Sequence, residues 1–92
     1  MSEADIIKGI VRCKVSYIFD VYYRPPSDVA KEAELANCVA KFGGRLDYRE
    51  DATEHTGIIL TYEFDDRDQA MKAVDLLRQR GEHVAGPMDY AA

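Results

Sequence analysis

Three groups of residues in this chain have the types and spacing to do chemistry. The first is the run Arg24, Pro25, Pro26, Ser27 and Asp28, which lies where an extended segment gives way to a helical one. A turn of that kind can hold an anion on free backbone N–H groups backed by a cation. Arg24 would supply the cation and Ser27 a hydroxyl, so these two are the candidate anion-binding residues for a small ligand or a small enzyme's substrate. Pro25 and Pro26 remove two donors outright, and the competing reading is a rigid strand-to-helix turn.

The second group is acidic: Glu63, Asp65, Asp66 and Asp68. Clustered carboxylates suit a hard cation. This cluster stands at the start of a helical pattern, where aspartate is favoured for its own electrostatic reasons, and it lacks the glycine and closing glutamate of an EF-hand loop. Capping is the expected role. The third group is His55, His83, Cys13 and Cys38, the only soft ligands in the chain. Their spacing matches no structural zinc site, and no Ser, His and Asp set can be assembled from the sequence. The expectation is a non-enzymatic protein without a metal or another cofactor.

Charge narrows the partners. A formal net charge of −5 argues against nucleic acid, whose binding draws on Lys and Arg at phosphates. Those residues are scattered among Asp and Glu, as on a solvated surface. The 92 residues make one domain, 47% apolar and 32% charged, which are the proportions of a soluble globular protein, with no run suited to a membrane span. The first residues, including Ser2, Glu3 and Asp5, do not read as a signal peptide. Two cysteines so far apart make no disulfide framework, and a cytosolic address is expected.

The elements that must position these groups follow from hydrophobic periodicity. Residues 1–10 read as a polar arm or a short helical turn. From Val11 to Tyr23 the odd positions Cys13, Val15, Tyr17, Phe19, Val21 and Tyr23 are apolar, whereas Arg12, Lys14, Ser16 and Asp20 are polar. That period of two predicts a long strand with one buried face. Ser27 or Asp28 would cap a helix over 29–42, with Val29, Ala33, Ala36 and Ala40 as its buried stripe, widened by Leu35, Val39 and Phe42, and Gly43 and Gly44 as its stop.

An alternating strand over 45–49 and another over 57–64 then form a hairpin in which Leu46 meets Tyr62, Tyr48 meets Leu60 and Arg45 faces Glu63. Asp66 opens a second helix over 67–80, with Ala70, Ala73, Val74 and Leu77 inward and Gly81 as its close. The last strand, 83–90, turns Val84, Met88 and Tyr90 inward, and Pro87 marks it as an edge.

The order β-α-β-β-α-β predicts an α+β, ferredoxin-like two-layer sandwich over 11–92, a four-stranded antiparallel sheet with two helices on one face. The other face is left open. It would carry Ser16, Ile18, Asp20 and Tyr22 beside Ile59, Thr61 and Glu63. RNA-recognition domains of this architecture place two or three stacking aromatics there, and only Tyr22 qualifies. Ile18, Tyr22, Ile59 and Thr61 are the candidate partner-binding residues, for a protein partner or a second copy of the chain.

Overall fold

The computed structural model describes residues 15–51 and 57–91, with the backbone path alone for 90–91. The N-terminal arm, Cys13, Lys14 and His55 lie outside the described residues. The elements are β1 (Val15–Tyr23), α1 (Val29–Lys41), β2 (Arg45–Asp51), β3 (Ile58–Phe64), α2 (Arg67–Gln79) and β4 (His83–Ala91). The strands form one antiparallel sheet in the order β2-β3-β1-β4. Read from the other edge this is β4-β1-β3-β2, the ferredoxin-like sandwich that the alternation predicts, with the two most apolar strands in the centre.

Period two decides what the sheet buries. On β3, Ile58, Leu60, Tyr62 and Phe64 are buried while Ile59, Thr61 and Glu63 are half-exposed. On β1, Phe19 and Val21 are fully buried beside them. Phe19 stacks on Phe64 at 5.4 Å between ring centroids and tilts against Tyr62 at 5.7 Å, both within the range in which aromatic pairs attract beyond simple burial. The helix α2 covers these side chains with Ala70, Ala73, Val74 and Leu77, the stripe read from its sequence. Val15 departs from the expected inward face and is 46% exposed. The β1–β3 ladder starts only at Tyr17, so Val15 has a neighbouring strand on one side alone.

The first helix buries the expected Leu35, Val39 and Phe42 but is rotated so that the expected alanine stripe faces out. Its buried residues are Leu35, Cys38 and Val39, with Phe42 partly buried against the same core. Val29, Ala33, Ala36 and Ala40 are exposed. Both sets have helical spacing, and the free energy of burial scales with the apolar area removed from water, so the larger side chains claim the core. Lys31 and Glu32, half-buried beside that face, add ion pairs that fix the same rotation.

Both helices close on a glycine. In α1 the Gly43 N–H donates to Ala40 O and the Gly44 N–H to Val39 O, each at 3.0 Å, which satisfies two carbonyls that the helix cannot. Gly81 repeats the arrangement after α2, with the Glu82 N–H on Leu77 O. Asp28 caps α1 by accepting from the Lys31 N–H, and Asp66 caps α2 by accepting from the Asp68 N–H, both at 3.0 Å.

The two edge strands each carry an irregularity. Leu46 pairs with Tyr62 and Arg45 with Glu63 as expected, but Tyr48 stands opposite Thr61, and Arg49 opposite Leu60. One extra residue at Asp47 is a β-bulge, which turns every later side chain of β2 to the other face. In β4, Met88 pairs with Ile18, and Ala85 with Asp20, so the two strands slip by one at Gly86 and Pro87. Gly86 has φ +120, and a Cβ there would lie 3.0 Å from Ile18 O, so this bulge requires glycine. Arg78 Nη2 donates to Val84 O at 3.0 Å and bridges from α2 to the same segment.

Gly44 leaves no room for a side chain, because a Cβ on it would stand 2.6 Å from two ring carbons of the buried Phe64. Replacing Gly44 with alanine should lower stability by about 1–3 kcal/mol, the range for overpacking a filled core. Urea denaturation measures the loss, and an unchanged midpoint would mean that the ring does not rest on that glycine.

Candidate functional site

Alternation along β1 sends Ser16, Ile18, Asp20 and Tyr22 away from the helices, and the register sets their neighbours. One row across the sheet reads Arg45, Glu63, Ile18 and Met88. The next reads Tyr48, Thr61, Asp20 and Ala85, and the third Glu50, Ile59, Tyr22 and His83. The four residues expected to bind a partner, Ile18, Tyr22, Ile59 and Thr61, therefore share one face within these rows.

Two residues that the sequence placed inward join them. The β2 bulge brings Tyr48 to the open face, 57% exposed, and the β4 bulge does the same for Met88, 45% exposed. Tyr22 is not the only aromatic on this face. No periodicity reveals this, because a bulge is a choice made between two strands. A signal was nonetheless present, since Gly86 and Pro87 interrupt the alternation of β4.

Charges on the face fall into a paired set and an unpaired one. Glu63 accepts from Ser16 Oγ at 2.6 Å and pairs with Arg45 Nη2 at 3.0 Å. Arg45 reaches Asp65 as well, and hydrogen bonding to Asp65 holds its guanidinium above the usual arginine range. Asp20 accepts from Thr61 Oγ1 at 2.6 Å on one oxygen and from Tyr22 Oη at 3.4 Å on the other. Burial raises the Tyr22 hydroxyl above the usual phenol range, and the negative charge and hydrogen bond of Asp20 push the same way. Among the described residues Asp20 has no cation partner.

The Arg24 to Asp28 loop is built differently. It borders an open concavity of about 500 Å³ lined by Tyr23, Arg24, Pro26, Ser27, Asp28, Val29 and Lys31. The groups around it are largely engaged with one another. The N–H of Asp28 donates to the Tyr23 hydroxyl at 3.0 Å while its carboxylate caps α1. Ser27 Oγ accepts from Arg49 Nη2 at 3.2 Å and lies 3.5 Å from Asp51. Lys31 pairs with Glu82 at 3.0 Å and sits 5.6 Å over the Tyr23 ring. Arg24 is exposed and unpaired among the described residues.

Beneath this loop the β2 bulge has a second effect, since it turns Arg49 toward α1. Its guanidinium grips Glu32 through both oxygens at 2.9 Å, the bidentate geometry that arginine suits best. Tyr23 Oη donates to the same carboxylate. Hydrogen bonding to Arg49 holds Glu32 below the usual carboxylate range, aided by Tyr23 and outweighing a burial effect that opposes it. Burial pushes the Tyr62 hydroxyl of the core up to about 12. The arrangement clamps the end of β1, the start of α1 and β2 together.

The acidic cluster is dispersed: Asp66 is a helix cap, Glu63 and Asp65 pair with Arg45, and Asp68 lies in the first turn of α2. Among the described residues no three His, Cys, Asp or Glu side chains are grouped to hold a metal ion. Cys38 is a buried free thiol against Arg80, and His83 is exposed opposite Tyr22. No described helix is long and apolar enough to cross a membrane. Comparison with family models, curated proteins and solved structures finds no significant match to this chain.

The clamp gives a prediction about pH. Glu32 has a lowered pKa when folded, so its contribution is complete above its unfolded value, about 4.3, and is lost as pH falls through the folded value. Arg49→Ala should lower stability at pH 7, because it removes both charge-assisted hydrogen bonds to Glu32. The gap from wild type should narrow as the pH falls below about 4. Denaturant midpoints measured across that range decide it, and a gap that does not change with pH would mean that Arg49 acts through packing alone.

Proposed function

We propose that this chain is a small non-catalytic binding module that takes a protein segment on the open face of its sheet. The observation that carries the reading is the set Ile18, Tyr22, Tyr48, Ile59 and Met88 on a face that no described helix covers. Apolar side chains grouped within a polar rim are the usual anatomy of a protein contact. A formal charge of −5 and the carboxylates of Asp20, Glu50 and Glu63 on this face weigh against nucleic acid. A cytosolic address fits the free thiol of Cys38.

A second reading, a small ligand or substrate beside Arg24, draws on the concavity at that loop and on Arg24, exposed and unpaired among the described residues. Three things count against it. Two prolines remove donors, the Asp28 carboxylate already occupies the first turn of α1, and Ser27 is held by Arg49.

Panning a random dodecamer peptide library against the folded chain separates the two. Recovered peptides should shift the NMR signals of Ile18, Tyr22, Ile59 and Thr61, and the double variant Ile18→Lys, Ile59→Lys should lose them while keeping its cooperative unfolding transition. Shifts confined to Arg24, Ser27 and Lys31 would favour the loop, and a chain that retains no peptide would remove the binding-module reading.

A further inference from the structure

The row Tyr48, Thr61, Asp20 and Ala85 puts a carboxylate in the middle of the open face. Along β1 its neighbours on that face are Ile18 and Tyr22, and diagonally across the ladders they are Ile59 and Met88 with Glu63, which Arg45 holds, and the exposed His83. Asp20 is half-buried among these side chains. We infer that the segment bound here presents one lysine or arginine, flanked by apolar residues, to the Asp20 carboxylate. The inference rests on the reading of the open face as a protein-binding surface and names the chemistry of its occupant.

The geometry carries the argument. The hydroxyls of Thr61 and Tyr22 each engage one Asp20 oxygen, at 2.6 and 3.4 Å. They orient the carboxylate without neutralising it. An ionised carboxylate accepts at about four lone-pair positions, so two stay open to donors from outside. The one arginine in these rows, Arg45, is committed to Glu63 and Asp65, and Glu50 adds a second carboxylate that no described cation balances.

An apolar segment laid over Asp20 would bury its charge uncompensated, at a cost of several kcal/mol. A cation turns that cost into a charge-assisted hydrogen bond. Tyr22 stands next to Asp20 on β1 and Tyr48 in the same row across the sheet, and aromatic side chains near a carboxylate add to the attraction of a cation. A second copy facing this surface would bring two such carboxylates together without a new cation, and nucleic acid would bring phosphates, so a basic protein segment is the occupant that the charges favour.

A double-mutant cycle on the intact chain tests this, with library-selected peptides as the probe. Selection should enrich peptides with a single Lys or Arg between apolar residues. Asp20→Asn keeps the shape and one acceptor for the hydroxyls, and it should weaken those peptides at least about tenfold. Changing the peptide's cation to Gln should weaken binding to the wild type by a similar factor and to Asp20→Asn hardly at all. Raised salt should weaken the cationic peptides and spare the Gln ones.

If peptides map to the open face but the cycle shows no coupling, the cation is refuted and the binding surface survives. If selected peptides map elsewhere or none is retained, both fall. A concentration-dependent dimer in sedimentation, abolished by Ile18→Lys with Ile59→Lys and accompanied by no peptide binding, would assign the face to a second copy and overturn the inference.

Discussion

The pairing of β1 with β3 beneath α2 is the constraint on which everything else in this molecule rests. Phe19 and Val21 on one strand and Leu60, Tyr62 and Phe64 on the other are removed from water together. Each strand alone would expose them. At roughly 25 cal/mol per Å² of apolar surface, large side chains buried in this way supply the main drive to fold a chain of this size. Because side chains alternate strictly along a strand, burying this set commits the intervening residues to the opposite face. The open face is thus a consequence of the core and inherits its rigidity from it.

The edges are where that commitment is modified. One extra residue in β2 and one in β4 change which side chains face which way, and the two bulges act in the same sense on the open face by adding Tyr48 and Met88. The bulge in β2 also sends Arg49 under the loop that leads into α1, where it meets Glu32 and Ser27. One backbone irregularity thus furnishes an aromatic to one side of the sheet and a clamp to the other. The bulges also twist edge strands away from regular pairing, which protects them against adding further strands.

Charge gives the open face its character. Glu63 and Arg45 neutralise each other near one margin, whereas among the described residues Asp20 near the centre is held by hydroxyls and meets no cation. A polar group at the centre of an apolar surface contributes specificity more than affinity, since its desolvation must be met by a partner of the right kind. The Arg24 loop shows the opposite economy, with most of its polar groups satisfied within the molecule.

The order of elements, the central strands and the inward residues of β3 and α2 were legible in the sequence, because burial there follows local periods of 2 and 3.6. So were the Asp66 cap, the glycine stops, and the placing of Ile18, Tyr22, Ile59 and Thr61 on one face, while the cap of α1 was narrowed to Ser27 or Asp28 and the structure selects Asp28. The face of α1 was legible in part: Leu35, Val39 and Phe42 were expected inward and lie there, whereas the alanine stripe has equal periodicity and only the area available against the sheet turns it out. Tyr48, Arg49 and Met88 were not legible, since their direction depends on a bulge set by two strands at once. Local periodicity set the layers and most of the core; pairing between strands set which edge side chains reach the open face and which carboxylate there meets no cation among the described residues, because register is a property of neighbours that no single segment contains.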